Sequence, residues 1–268
     1  MLYHKLQQQW ESRKYVVVGL DPDISLIPKF LKGKYKSPGR VFFEFNKEII
    51  KHTKKKVLGY KLNSAFYEAH GADGIVALRK TILEIKKDKN SVVILDAKRG
   101  DVGNTSNFYF DFAFKYLSAD AITLSPYMGL GSSSKFLRKG AIFLCKTSNK
   151  ESGEFQDLKL GRKQLYLQVA ENAEKVWNTN KNIMLVTGGT SPEAIKKVRQ
   201  VAPNIPLLVP GIGKQGGNLK KVIQNAGHSF VICSSREIIY SGKSVDFAKK
   251  AEEKVDELSG EINKLINK

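Results

Sequence analysis

Eight short runs dominated by Val, Ile, Leu and aromatic residues punctuate the chain, at 15–20, 57–62, 92–95, 121–124, 141–145, 183–186, 206–209 and 230–233. Most are continuously apolar and do not alternate, the pattern of strands in a parallel sheet covered on both faces. Segments of helical period lie between them. Residues 164–177 place Tyr166, Val169, Ala170, Ala173, Val176 and Trp177 on one face. Residues 192–201 begin with Ser191 as N-cap and Pro192 at the first helical position. Residues 40–52 and 74–87 are long enough for helices, and 105–117 and 131–138 predict shorter ones. The segment 244–266 carries Ala248, Ala251, Val255, Leu258, Ile262 and Leu265 at near-heptad spacing. A coiled coil shares this spacing, but three heptads at a chain end favour a helix packed on a sheet.

Strand and helix alternating eight times within about 250 residues is the rhythm of a (β/α)8 TIM barrel, an α/β fold. A doubly wound open sheet has the same local pattern, so periodicity leaves both open. No linker forces a second domain, so residues 1–268 are expected to form one barrel domain. The polar stretch 146–161 is the longest irregular segment, and it follows the fifth run.

Composition narrows the function classes. With 268 residues and 41% hydrophobic content the chain can bury a large core. Cys145 and Cys233 both sit in apolar runs and read as reduced core residues. The N-terminus lacks a signal pattern, and no apolar run approaches the roughly 20 residues that span a bilayer. A cytoplasmic protein without membrane attachment is expected. The net charge of +19 raises a nucleic-acid partner. Its excess is mostly Lys mixed with acids in helical segments, with no zinc spacing and no RNA-binding aromatic signature. No nucleic-acid partner is therefore expected, although a positive field can draw in an anionic small substrate.

In a βα barrel the chemistry gathers at the C-terminal strand ends. The third run ends Asp96-Ala97-Lys98-Arg99-Gly100-Asp101. Asp96 and Lys98 are two apart, so on an extended chain they point to the same side. With Lys61 and Asp101 nearby, two ammoniums and two carboxylates would alternate in one pocket, an arrangement that holds a Lys charged. A lone Asp-x-Lys is more readily a salt bridge on the rim. The seventh run leads into Gly211-Ile212-Gly213-Lys214-Gln215-Gly216, formally a dinucleotide-type glycine motif. That motif belongs after the first strand of a βαβ unit. Late in the chain it reads better as an amide-rich phosphate cradle, with Arg236 after the eighth run as the guanidinium. His4, His52, His70 and His228 show no metal spacing, no metal site is expected, and Ser132–Ser134 reads as a polar loop or helix start.

These pieces together resemble the orotidine 5′-monophosphate decarboxylase family, in particular its divergent bacterial subgroup. The resemblance rests on Val-Gly-Leu-Asp-Pro-Asp (18–23), Tyr-Lys-Leu-Asn-Ser-Ala-Phe-Tyr-Glu (60–68), Leu-Asp-Ala-Lys-Arg-Gly-Asp-Val-Gly-Asn-Thr (95–105), Ser-Pro-Tyr-Met-Gly (125–129), Lys-Thr-Ser-Asn (146–149) and Val-Pro-Gly-Ile-Gly-Lys-Gln-Gly-Gly (209–217). It implies a cofactor-independent decarboxylation of orotidine 5′-monophosphate to uridine 5′-monophosphate, the last step of UMP biosynthesis. It implies a catalytic tetrad of Lys61, Asp96, Lys98 and Asp101, with Asp101 and Thr105 reaching into the neighbouring subunit of a homodimer. Asp21 would hold the ribose hydroxyls, Ser148 the pyrimidine edge, and Gln215 and Arg236 the phosphate. The eighth run ends Cys-Ser-Ser-Arg, where the family pattern has a glycine before the arginine. Sister barrel enzymes share Asp-x-Lys-x-x-Asp but use Mg²⁺ with an added acidic ligand, and Lys61 is a poor neighbour for such an ion. A Schiff-base aldolase is a further alternative, because Lys61 or Lys98 could act as an amine nucleophile.

Overall fold

The eight apolar runs form the eight strands of a closed parallel barrel. They are β1 (Val16–Gly19), β2 (Gly59–Asn63), β3 (Val92–Arg99), β4 (Ala121–Leu124), β5 (Ala141–Lys146), β6 (Ile183–Thr187), β7 (Leu207–Pro210) and β8 (Phe230–Ser234). Closure comes from β8 pairing back onto β1, with Val17 opposite Cys233, and this excludes the open doubly wound sheet. The structure, a computed structural model, describes residues 2–131, 134–212 and 218–267.

The continuous apolar runs hide an alternation between two cores. Val17, Val92, Ile94, Ala121, Ile142, Met184, Val186, Leu208, Val231 and Cys233 pack together as the barrel lumen. Their neighbours Val16, Val18, Tyr60, Leu62, Val93, Leu95, Ile122, Leu185, Val209 and Ile232 pack under the helices. Both sets are buried, so the period of two vanishes from the hydropathy pattern but still decides which side chains face inward. The bottom of the lumen is plugged by the N-terminal helix Leu2–Glu11, whose Leu2 and Leu6 join the lumen cluster. Trp10 Nε1 donates to Phe230 O at 3.0 Å, Gln9 Nε2 to Asn90 O at 2.9 Å, and Lys5 Nζ lies 3.1 Å from Asp120.

Helices Pro38–Thr53, Gly71–Ile85, Pro192–Val201 and Phe247–Ile266 cover the barrel where the spacing placed them. The last packs on Pro38–Thr53 through Ala248, Ala251 and Val255, as a layer of the barrel and not as a coiled coil. Three local expectations need correction. Val176 is 56% exposed although Tyr166, Ala170, Ala173 and Trp177 are buried. The helix Leu165–Asn172 runs on as a π-helix over Ala173–Trp177, and the wider turn rotates Val176 out of the face that a 3.6-residue period assigns it. Within 131–138 the described residues form only the 3-10 turn Phe136–Arg138. Ser191 occupies the N-cap position but makes no side-chain cap bond.

Cys145 and Cys233 are free and buried. His52 Nδ1 lies 3.2 Å from Glu252, and His70 packs edge-on against Phe42, so both have packing partners. Among the described residues no group of three His, Cys, Asp or Glu is arranged to hold a metal ion, and no helix is long and apolar enough to cross a membrane.

Candidate active site

Strand alternation puts Lys61 between Tyr60 and Leu62, so that its neighbours take the helix side and Lys61 points into the lumen. The same alternation turns Asp96 inward from β3, past Ile94. The Lys61 ammonium lies 2.6 Å from one Asp96 oxygen, and the Lys98 ammonium lies 2.8 Å from the other. Thr123, turned inward from β4, donates its hydroxyl to the Lys98-facing oxygen of Asp96 at 2.8 Å. Lys61 and Asp96 are buried, whereas the Lys98 side chain is about half exposed at the mouth.

Burial on its own would raise the Asp96 carboxyl. The charges of Lys61 and then Lys98, with their hydrogen bonds, outweigh it and bring the group down to about 2. For Lys61 burial works in the opposite direction, and the Asp96 charge more than offsets it, so its ammonium is held above the ordinary lysine range. The result is an anion clamped between two cations, one sealed in the lumen and one facing solvent.

Asp96 and Lys98 do meet, but not along an extended strand. Lys98 has a left-handed backbone, with φ +47°. The β3–β4 register slips between Leu95, opposite Ile122, and Arg99, opposite Leu124. The extra residues bulge, and the Lys98 N–H bonds to Thr123 Oγ1 at 2.9 Å. Left-handed backbone costs a non-glycine residue roughly 1–2 kcal/mol, so Thr123 stabilises a strained position while it orients Asp96. Thr123 escaped the sequence reading because it sits inside a run scored as apolar. A hydroxyl at a lumen position one layer above Ala121 was the available signal.

The other expected residues lie around the same mouth. Asp21, just beyond β1, is buried and accepts from Asn63 N at 2.9 Å and from Ser235 Oγ at 3.0 Å. Ser235, to which the sequence assigned no role, shares its one hydroxyl hydrogen between Asp21 and Gly19 O, also 3.0 Å away, and so ties the ends of β8 and β1. Ser148 follows β5. A Cβ on Gly188 would lie 2.8 Å from its Cα, and one on Gly211 3.1 Å from its Cβ, so two glycines make room for it. Arg236 opens the short helix Arg236–Ile239 after β8 and is exposed. Gln215, with Gly213 and Gly216 of the glycine motif, lies outside the described residues, as do Ser132 and Ser133.

Asp101 and Thr105 are not brought to the lysines within the chain. Among the described residues the Asp101 carboxylate accepts only from Val102 N, at 2.8 Å. Thr105 stands exposed on the helix Gly103–Phe110. Exposed apolar side chains occur in the same segment and after the flanking strands: Val102 at 58% and Phe108 at 68%, Tyr127 at 75% and Met128 in the turn after β4, and Phe66 in the short helix after β2.

Chemically, the site offers an ammonium at the mouth, a carboxylate held anionic beside it, and further hydrogen-bonding groups at the neighbouring strand ends. Comparison with known proteins shows the family to which the chain belongs. The family model described as "Orotidine 5'-phosphate decarboxylase / HUMPS family" matches residues 14–258. An orotidine 5'-phosphate decarboxylase of Flavobacterium johnsoniae is 41% identical over 268 residues, covering 97% of this chain and 96% of that protein. The structure of Leishmania donovani OMP decarboxylase superposes with a TM-score of 0.84 at 37% identity, covering 100% of both chains. That of Leishmania donovani UMP synthase gives 0.87 at 38% identity, and there the match spans 98% of this chain and 56% of the other.

Proposed function

The chain belongs to the orotidine 5′-phosphate decarboxylase / HUMPS family, and from that premise we propose how its site carries out the reaction. The chain decarboxylates orotidine 5′-monophosphate to uridine 5′-monophosphate and CO2, a step of pyrimidine biosynthesis. The observation that carries the mechanism is the Asp96 carboxylate held at 2.6 and 2.8 Å between Lys61 and Lys98.

Breaking the bond from C6 to the carboxylate leaves the electron pair on C6, where no ring nitrogen or carbonyl delocalises it. Stabilisation is then electrostatic, from a cation fixed before charge develops. Lys98 supplies it: its ammonium stands beside the carbanion and donates a proton to C6, and solvent reprotonates the amine. Asp96 faces the departing CO2 and, with Thr123, keeps Lys98 on target. Lys61 neutralises Asp96 from below and stays out of the proton transfer. Asp21 takes the ribose hydroxyls, Ser148 the pyrimidine edge, and Arg236 with Gln215 the phosphate. Binding energy from the phosphate, remote from C6, is used at the reacting carbon.

We further propose that one barrel unit spanning residues 1–268 carries each site and that two copies complete it. Asp101 and Thr105 would enter the partner's mouth, with Val102, Phe108 and Tyr127 as the apolar seam around them. Apolar side chains this exposed, in the same segment as Asp101 and Thr105 and after the flanking strand, support such an interface. A cytoplasmic location fits a nucleotide-synthesising enzyme. The decisive variant is Lys98→Ala. Loss of orotidine 5′-phosphate absorbance should slow by at least about 10³-fold, with little change in stability because Lys98 is half exposed. Near-normal turnover would remove Lys98 from the mechanism.

A further inference from the structure

The segment after β5 returns to its own starting point. Gln156, in the short helix Gly153–Gln156, turns its side-chain amide on Thr147. Its Oε1 accepts from Thr147 N at 2.8 Å, and its Nε2 donates to Thr147 Oγ1 at 2.8 Å. The Thr147 hydroxyl in turn donates to Asn149 Oδ1 at 2.6 Å. One residue further back, the buried Lys146 ammonium pairs with Asp157 at 2.8 Å. Both backbone neighbours of Ser148 are thereby engaged, Thr147 by Gln156 and Asn149 through Thr147.

Among the described residues Ser148 itself is held only through its backbone carbonyl, which accepts from Thr190 Oγ1 at 3.3 Å. Among the described residues its N–H and its hydroxyl have no protein partner. The close approach of Gly188 and Gly211 fixes where these two groups stand. A backbone N–H is a donor that cannot reverse, and a hydroxyl beside it can accept. That pair matches the uracil edge, an O4 acceptor next to an N3–H donor. Cytosine presents an amine where O4 stands, which would set donor against donor.

We propose that Gln156 is a positioning residue for base selection: by clamping the N–H and the hydroxyl of Thr147 it sets the Ser148 N–H and hydroxyl for a uracil edge and against a cytosine edge. This rests on Ser148 facing the pyrimidine, as proposed above. Gln156 touches no reacting atom, so its loss weakens binding of the base without altering the C6 chemistry. A buried polar mismatch is what separates closely similar ligands most strongly.

The test compares Gln156→Met, Gln156→Glu, Thr147→Val and Ser148→Ala in the full chain. Each is assayed for KM and kcat, and for inhibition by uridine and cytidine monophosphates. Gln156→Met should raise KM about tenfold with kcat within about twofold, and lower the preference for the uridine nucleotide about tenfold. Gln156→Glu keeps an acceptor for the Thr147 N–H and should recover most of both losses. Thr147→Val, which keeps its N–H, should fall between Gln156→Met and the parent, and it carries the test should Gln156→Met not fold. Ser148→Ala should lower the same preference. If Ser148→Ala lowers it and neither Gln156→Met nor Thr147→Val does, the role of Gln156 is wrong while that of Ser148 stands. If Ser148→Ala leaves the preference unchanged, the placement of Ser148 on the base fails, and the role of Gln156 fails with it.

Discussion

Asp96 shows how one side chain ties a proposed catalytic role to stability. Its carboxyl stands near 4 in an unfolded chain and falls to about 2 in the folded one. A depressed carboxyl contributes stability that is present above the unfolded value and lost as pH falls through the folded value. Asp96 therefore contributes about 2 kcal/mol at neutral pH, and the contribution fades between pH 4 and pH 2. Asp96→Asn should flatten the fall in unfolding free energy across that window. It should also lower stability at pH 7 by about 3–5 kcal/mol, because Lys61 is left charged and buried. Denaturant titrations at several pH values check both. At this scale the sequence was legible in part. Residue types and order pointed to Lys61, Asp96 and Lys98, since acids and lysines inside apolar runs are costly unless they are used. The route that joins Asp96 to Lys98 was not legible, because a left-handed residue and a slipped register depend on Thr123 from another strand. Asp101 and Thr105 could be named from the motif alone, since within one chain they touch nothing catalytic.

Among elements, strands were read more accurately than helices. A run buried on both faces keeps its apolar character whichever way it turns, so its existence survives errors of register. A helix is read from its period, and the π-helix Ala173–Trp177 changes that period without a mark in composition. The joins between elements are held by groups that no periodicity shows. Arg199, in the helix Pro192–Val201, donates to the carbonyls of Ala202, Pro203, Ile205, Ala226 and Ser229 at 2.9–3.1 Å. It knots that helix to the chain entering β7 and β8, at the end of the barrel away from the active site. A lysine brings a point charge in place of the planar fork and cannot reach all five. Arg199→Lys should cost about 2–3 kcal/mol, a fall in Tm of roughly 4–12 °C. kcat should be unchanged at 25 °C, which separates a structural knot from a catalytic part.

The whole molecule divides its chemistry between two ends. Among the described residues the C-terminal strand ends hold every proposed substrate contact and the exposed Val102, Phe108 and Tyr127, while the N-terminal end is sealed. If the seam joins two copies, each mouth uses Lys98 from one and Asp101 from the other. Lys98→Ala and Asp101→Ala proteins, each inactive alone, should then complement when mixed after brief dissociation. Random reassortment makes half the dimers mixed, each with one intact mouth, so about a quarter of the parental activity should return. No recovery would place Asp101 in its own subunit's site. The barrel, its strand order and its reactive end were legible from rhythm, because eight repeats leave few topologies. The seam was not, because exposure is a property of the folded surface.

The plug at the sealed end has a consequence in time. Residues 2–11 leave the ribosome well before β8, and Trp10 bonds to Phe230, 220 residues later. At translation rates of about 5–20 residues per second, that partner arrives roughly 10–45 s after the helix does. Until then Leu2 and Leu6 have no lumen to fill, and the helix waits as an unpaired amphipathic ribbon. Nascent chains arrested before β8 should be clipped by protease within residues 2–11, and released chains should resist. A segment made early is therefore among the last to be locked in place.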